Sequence, residues 1–218
     1  MKPVTIAVPK GRIAARLVPL FERAGLDCAC LKDDDRTLVR TSADGQLRFL
    51  LLKPDDVPTY VEYGAADLGV GGRDTLLERG YHLYQLVDLG IGKCRMVVAA
   101  RAGASVPELP RVATKYTHIA RQHYAARGIQ PEIIYLQGSV ELGPIVGLSD
   151  VIVDLVETGS TLVENNLVEV EVICHISSVL VANPALFKLR RNELQPFVER
   201  IREAVNAEAE AGNRGPAK

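Results

Sequence analysis

The stretch Val151-Ile152-Val153-Asp154-Leu155-Val156-Glu157-Thr158-Gly159-Ser160-Thr161-Leu162 decides how the rest of the chain is read. Its first six residues are apolar except for Asp154, and four of them are β-branched, which describes a buried strand. Thr-Gly-Ser-Thr follows, a set of residues that starts helices. A strand running straight into a helix is the repeating unit of an α/β fold. The hydroxyls of Thr158, Ser160 and Thr161, with backbone N–H groups freed to turn inward at Gly159, suit this helix start to holding a phosphate. Asp154, near the strand's end, suits sugar hydroxyls or a magnesium-bound ligand. The same hydroxyls are also the commonest plain helix caps, so the motif alone does not decide between the two roles.

Outward from this stretch, strand and helix patterns alternate. Val4 to Val8 is an apolar strand, Pro9-Lys10-Gly11-Arg12 turns, and Ile13 to Gly25 is an amphipathic helix with Ile13, Leu17, Leu20 and Phe21 on one side. Pro19 within it suggests a kink. Thr37 to Ser42 and Gln46 to Leu52 form a hairpin around Asp44-Gly45. A helix follows from Pro54 to Tyr63, then a strand from Asp67 to Val70, a helix ending at Gly80, and strands at Tyr84 to Val87 and Cys94 to Ala100. After a polar loop at Ser105 to Pro110 the alternation restarts. It gives Arg111 to Thr114, a helix from Thr117 to Arg127, Glu132 to Leu136, and a short helix from Ser139 to Val146. Beyond the phosphate stretch come a long strand-like run, Glu169 to Val181, and helices at Pro184 to Arg190 and Glu193 to Ala209.

Strands alternating with helices indicate mainly parallel sheets, and two such series indicate two α/β lobes with a ligand cleft between them. The run Glu169 to Val181 is long enough to cross between lobes, and the terminal helix would return to the first. The expected division is 1–90 with 178–209 as one lobe, 91–177 as the second, and 210–218 as a flexible tail.

Composition narrows the function classes. With 218 residues, 47% hydrophobic and 24% charged, the chain can build a full core. Its 26 basic and 27 acidic residues leave a net charge of -1, against a non-specific nucleic-acid binder. No segment has the length of a secretory or membrane-spanning apolar run, so the expected location is the cytoplasm, with no membrane partner. Cys28 and Cys30 lack zinc spacing, and His82, His118, His123 and His175 are scattered, so no metal site built from protein ligands is expected. Asp33-Asp34-Asp35 reads as solvated acids in a polar loop.

The longer stretch Glu141 to Leu162 resembles the signature of the ATP phosphoribosyltransferase family, at Glu141, Gly147, Ser149, Ile152, Asp154, Leu155, Thr158, Gly159, Thr161 and Leu162. The likeness extends to Ala7 through Arg12, Asp55-Asp56-Val57-Pro58, Ala66 through Val70, Gly92 through Arg95, and Arg111 through Tyr116. Lys53 stands where the family pattern has arginine.

This resemblance implies a periplasmic-binding-protein-like (type II) fold and the first step of histidine biosynthesis, in which N1 of ATP displaces diphosphate from 5-phosphoribosyl-1-diphosphate. Asp154, Lys10 and Arg12 would be catalytic. Glu141, Asp154, Glu157, Thr158, Gly159, Ser160 and Thr161 would bind phosphoribosyl diphosphate. Lys10, Gly11, Arg12, Arg36 and Lys53 would bind ATP or diphosphate, and Mg2+ would arrive with the substrate. The chain resembles the short catalytic form, a homodimer when alone, which joins a histidyl-tRNA-synthetase-like regulatory subunit in a hetero-octamer. Histidine feedback would then reside in that partner. A purine or pyrimidine phosphoribosyltransferase shares the Thr-Gly-x-Thr loop but usually carries two adjacent acids before it, and a non-catalytic two-lobed solute-binding protein shares the architecture.

Overall fold

The computed structural model describes residues 2–33 and 35–213. Strand β1 (Val4–Pro9) leads into α1 (Arg12–Arg23). The hairpin β2 (Val39–Thr41) and β3 (Leu47–Leu52) follows, then a 3-10 turn at Pro54–Asp56, α2 (Val57–Glu62), β4 (Leu68–Gly72), α3 (Arg73–Arg79) and β5 (Tyr84–Asp88). The chain continues through β6 (Cys94–Arg101), β7 (Arg111–Thr114), α4 (Thr117–Ala125), β8 (Glu132–Tyr135), α5 (Leu142–Ile145) and β9 (Val151–Val156). It closes with α6 (Ser160–Glu164), β10 (Leu167–Ile176), β11 (Ser178–Ala182), α7 (Pro184–Leu189) and α8 (Arg191–Asn213). Among the described residues these strands form two sheets, ordered β2-β3-β1-β4-β11-β5 and β10-β6-β9-β7-β8.

The residues divide into two compact units. One takes residues 2–76, 81–92 and 177–213, and the other takes Leu77–Gly80 with Lys93–Ile176. The sequence division kept residues 77–80 with the first block. The structure groups them with the second, in which the Glu78 carboxylate accepts bonds from the His118 and Ile119 N–H groups, at 3.0 and 3.1 Å, at the start of α4.

Each unit has its own core. In the first, Leu17, Leu20 and Phe21 of α1 pack with Leu194, Val198 and Ile201 of α8 on one face of the sheet, and the Phe21 and Phe49 rings stack at 6.4 Å. Full burial of such side chains contributes about 1.5–3 kcal/mol each. The helix α1 runs on through Pro19. In the second unit, Met96, Val98, Val112, Ile119, Tyr124 and Val153 form one core and Val97, Ile152, Leu162 and Leu167 another, on opposite faces as period-two strands require.

Three expectations change. The run Glu169 to Val181 is two strands, because Ser177 interrupts it. The Ser177 carbonyl accepts from Arg73 N–H at 3.0 Å and its hydroxyl donates to Asp88 at 2.8 Å, so β10 pairs with β6 while β11 pairs with β4 and β5. The sheets are mixed rather than mainly parallel: β1 runs parallel to β3 and β4, and β7 to β8 and β9, but β2–β3, β4–β11, β11–β5, β10–β6 and β6–β9 are antiparallel. From β3 onward, strands joined through a helix keep one direction, whereas β2, β6 and β11 run against their neighbours. Helix α8 continues to Asn213, past the expected end at Ala209, and the rest of the expected tail, 214–218, lies outside the described residues.

Candidate functional site

In the second unit, β9 and α6 set the loop. Gly159 has φ +87°, the left-handed region that a β-carbon disfavours, and it occupies the N-cap of α6 with no side-chain cap bond. A plain helix cap would show as a bond from a hydroxyl to the helix, and the Thr158 hydroxyl does accept from the Ser160 N–H at 3.4 Å. The Thr158 and Ser160 hydroxyls also lie 3.1 Å from each other on the exposed side of the loop, and Thr161 is exposed beside them. Three exposed hydroxyls thus gather at a helix start, the setting in which an anion binds.

Asp154 is mostly enclosed in β9, opposite Val97 of β6. Its carboxylate accepts from the Leu155 N–H at 2.8 Å. Burial, above all, pushes its carboxyl up to about 6; the negative charge of Glu141 adds to this, while the Leu155 bond and Lys115 oppose it. The structure therefore brings Glu141 and Asp154 into electrostatic contact although they are on different elements. Glu141 stands in the turn ahead of α5, a helix shorter than the expected Ser139 to Val146. The signature positions Gly147 and Ser149 shape this turn: Gly147 has φ +74°, and Ser149 packs so closely on Gly143 that a β-carbon there would lie 2.5 Å from its Oγ.

Sequence reasoning assigned no role to Lys115. The Thr114 hydroxyl donates to the Val153 carbonyl at 2.6 Å and accepts from the Tyr116 N–H at 2.8 Å, pinning the end of β7 to β9. Since Thr114 is in register with Val153, Lys115 follows at the level of Asp154. A lysine directly after an apolar strand was the available signal; the strand register was not. Arg95 was also passed over. It donates to Glu169 through Nε at 2.8 Å and to the Glu157 carbonyl through Nη1 at 3.3 Å.

In the first unit, β1 ends in the turn Lys10-Gly11-Arg12. Gly11 has φ +84° and is the N-cap of α1, again without a side-chain cap bond. The Lys10 N–H donates to the Leu52 carbonyl at 2.8 Å, and Pro9 is in register with Leu52, so Lys10 and Lys53 leave neighbouring parallel strands side by side. The Leu51 N–H bonds the Leu38 carbonyl, which carries Arg36 to the same end of the sheet. Lys10, Arg12, Arg36 and Lys53 are all exposed. Nearby, Asp35 is not merely solvated: it accepts from the Thr37 N–H and from Arg40, each at 2.8 Å, which keeps its carboxyl below the ordinary range. Asp34 lies outside the described residues.

Among the described residues no cysteine is in a disulfide, and no group of three or more His, Cys, Asp or Glu side chains is placed to hold a metal ion. Likewise no helix there is long and apolar enough to cross a membrane.

Comparison with solved structures supplies the class. The chain superimposes with a TM-score of 0.81 and 35% identity on a chain of the ATP phosphoribosyl transferase (HisG:HisZ) complex from Thermotoga maritima, covering 94% of this chain and 99% of that one. At 13% identity and a TM-score of 0.60 it shares only its fold with the periplasmic aliphatic sulphonate binding protein SsuA from Escherichia coli, over 98% of this chain and 76% of that one. The fold is therefore the periplasmic-binding-protein-like α/β class.

The particular family follows from sequence. A family model described as ATP phosphoribosyltransferase matches residues 53–203. An ATP phosphoribosyltransferase of Sorangium cellulosum is 61% identical over 94% of this chain and 97% of its own length. One of Herminiimonas arsenicoxydans is 50% identical over 92% of each. The chain belongs to the ATP phosphoribosyltransferase family.

Proposed function

We propose that the chain carries out its family's reaction with the two strand-to-helix turns described above. The reaction transfers the 5-phosphoribosyl group from 5-phosphoribosyl-1-diphosphate to N1 of ATP, giving N1-(5-phosphoribosyl)-ATP and diphosphate, the first step of histidine biosynthesis. The observation that carries the assignment of roles is Asp154 enclosed near the end of β9, a few residues before a helix start that carries exposed hydroxyls at Thr158, Ser160 and Thr161.

In this reading Glu157 through Thr161 hold the 5-phosphate, and the Asp154 carboxylate lies along the ribose. Adenine N1 already offers a lone pair at neutral pH, so no strong base is required. As N1 forms its bond to the anomeric carbon, the bond to diphosphate breaks and positive charge gathers on the ring. A carboxylate held in a partly dry site stabilises that charge better than water does. Glu141 adds to the negative potential, and the Leu155 N–H and then Lys115 work against the upward push that burial gives Asp154. Lys10 and Arg12, with Arg36 and Lys53 at the same sheet end, hold the phosphates of ATP or the departing diphosphate. Cations at a helix N-terminus oppose the helix dipole, so their presence at the start of α1 favours an anionic ligand there. Magnesium comes with the diphosphate as part of the substrate and neutralises its charge.

The alternatives lose their ground to the family match. Likeness to periplasmic binding proteins is a likeness of fold at 12–13% identity. An assay with 5-phosphoribosyl-1-diphosphate and magnesium tests the function. Diphosphate release is expected with ATP and not with free purine or pyrimidine bases; the reverse result would overturn it.

The proposal includes a cytoplasmic homodimer that joins a histidyl-tRNA-synthetase-like regulatory subunit in a hetero-octamer. The Thermotoga maritima neighbour, a two-component complex, supports this. Light scattering of the chain with and without that subunit tests it: mass should shift from dimer to octamer, and histidine inhibition should appear with the subunit.

A further inference from the structure

Arg95 and Glu169 are 74 residues apart and are not opposite each other in the sheet: Arg95 is in register with His175 of β10, and Glu169 with Ala99 of β6. Their side chains nonetheless meet end to end. Arg95 donates to both carboxylate oxygens of Glu169, through Nε at 2.8 Å and through Nη2, in the paired geometry that only a guanidinium provides. Its Nη1 donates to the Glu157 carbonyl at 3.3 Å. A β-carbon built on Gly159 would lie 3.7 Å from Glu169 Oε1 and 3.8 Å from Arg95 Nη2, so the pair fills the space beside the glycine. Each side chain keeps under a third of its surface in solvent, 29% and 28%. An ordinary surface ion pair would not reach a loop carbonyl and flank the one residue with left-handed backbone in that loop.

We propose that Arg95 and Glu169 are the positioning pair of the phosphate loop: they hold the Glu157 carbonyl and the Gly159 backbone so that the N–H groups of α6 stay aimed outward. This rests on the reading of Glu157–Thr161 as the 5-phosphate loop. Glu169 locks the guanidinium, and the guanidinium locks the loop. Neither residue needs to touch substrate.

The test combines steady-state kinetics with amide hydrogen exchange on Arg95→Ala, Arg95→Lys, Glu169→Gln, Glu169→Ala and the double alanine variant. Arg95→Ala should raise KM for 5-phosphoribosyl-1-diphosphate about 10-fold, the scale of one charged contact's geometric effect, with kcat and the KM for ATP within about twofold. Amides of residues 159–165 should exchange faster while those of β9 do not. Arg95→Lys should not rescue KM, because an ammonium cannot make the fork. Glu169→Gln, which keeps the shape and one acceptor, should give a smaller rise. The double variant should match Arg95→Ala alone, since the two act as one device. Additive effects, or equal losses in both KM values, would overturn the pairing. Thr161→Ala separates the two layers. If it raises KM while Arg95→Ala and Glu169→Gln leave KM and exchange unchanged, the positioning claim falls and the loop reading stands. If Thr161→Ala also changes nothing, the loop reading falls.

Discussion

The turn at Lys10-Gly11-Arg12 and the loop at Thr158–Thr161 are built alike and furnished differently. Both follow a buried strand and place a glycine of φ +84° or +87° at a helix N-cap that no side chain fills. Both therefore bring the N–H groups of a helix start to a glycine turn, and in the second the Thr158 hydroxyl accepts from the Ser160 N–H at 3.4 Å. The first is flanked by exposed cations, with Lys53 beside it on the next strand. The second is flanked by hydroxyls and preceded by an enclosed carboxyl pushed up to about 6. In the proposed assignment the same backbone device serves two anions. Cations suit a polyphosphate, whose charge is high and whose position is loosely specified. Hydroxyls and an acid suit a sugar monophosphate, where the ring must be placed and its developing positive charge met.

Removing the carboxylate's charge should separate the two turns most sharply. Asp154→Asn should lower kcat about 100-fold, the usual scale for one electrostatic stabiliser, with little change in either KM. It should also stabilise the fold. Because folding raises this carboxyl from 3.8 to about 6, the neutral form is the one favoured by the fold; that advantage is full below 3.8 and is lost as pH rises through about 6. Asparagine never ionises, so its stability advantage should grow by about 2 kcal/mol between pH 4 and pH 7 in denaturant titrations. In the native enzyme kcat should fall on the acid side with an apparent pKa about 6, and in Asp154→Asn that limb should vanish.

Gly159→Val has room for its β-carbon, whose nearest neighbours would be 3.7–3.8 Å away, so its cost is the backbone angle. About 2 kcal/mol of strain predisposes the loop to another shape and should weaken 5-phosphoribosyl-1-diphosphate about 30-fold by calorimetry. Lys10→Ala or Arg12→Ala should raise the KM for ATP about 10-fold, one charged hydrogen bond each, and leave binding of ribose 5-phosphate unchanged. The smallest effect is expected at Lys53→Arg. If this residue needs only a positive charge, KM for ATP should stay within about threefold.

Much of this was legible in the sequence because it is local. The strand-to-helix turns, the buried face of α1 at Leu17, Leu20 and Phe21, and the placement of Asp154 near a strand end follow from periodicity over a few residues. What was not legible depends on partners distant in sequence. Nothing between Glu169 and Val181 is a glycine or proline, so the break at Ser177 is visible only through its bonds to Arg73 and Asp88. The directions of β6 and β11 likewise depend on how the chain enters each sheet. Lys115 acquires its place beside Asp154 from the register of β7 on β9, and Arg95 acquires a partner 74 residues away.

The division of labour between the two turns is open to one direct measurement: backbone amide chemical shifts during titration with ribose 5-phosphate, which carries the sugar and its 5-phosphate but no diphosphate. Saturable shifts are expected at Gly159, Ser160 and Thr161, with Asp154 and Leu155 following and Gly11 to Ile13 unmoved. Shifts centred on Gly11 to Ile13, or none at Gly159 to Thr161 at saturation, would contradict the account.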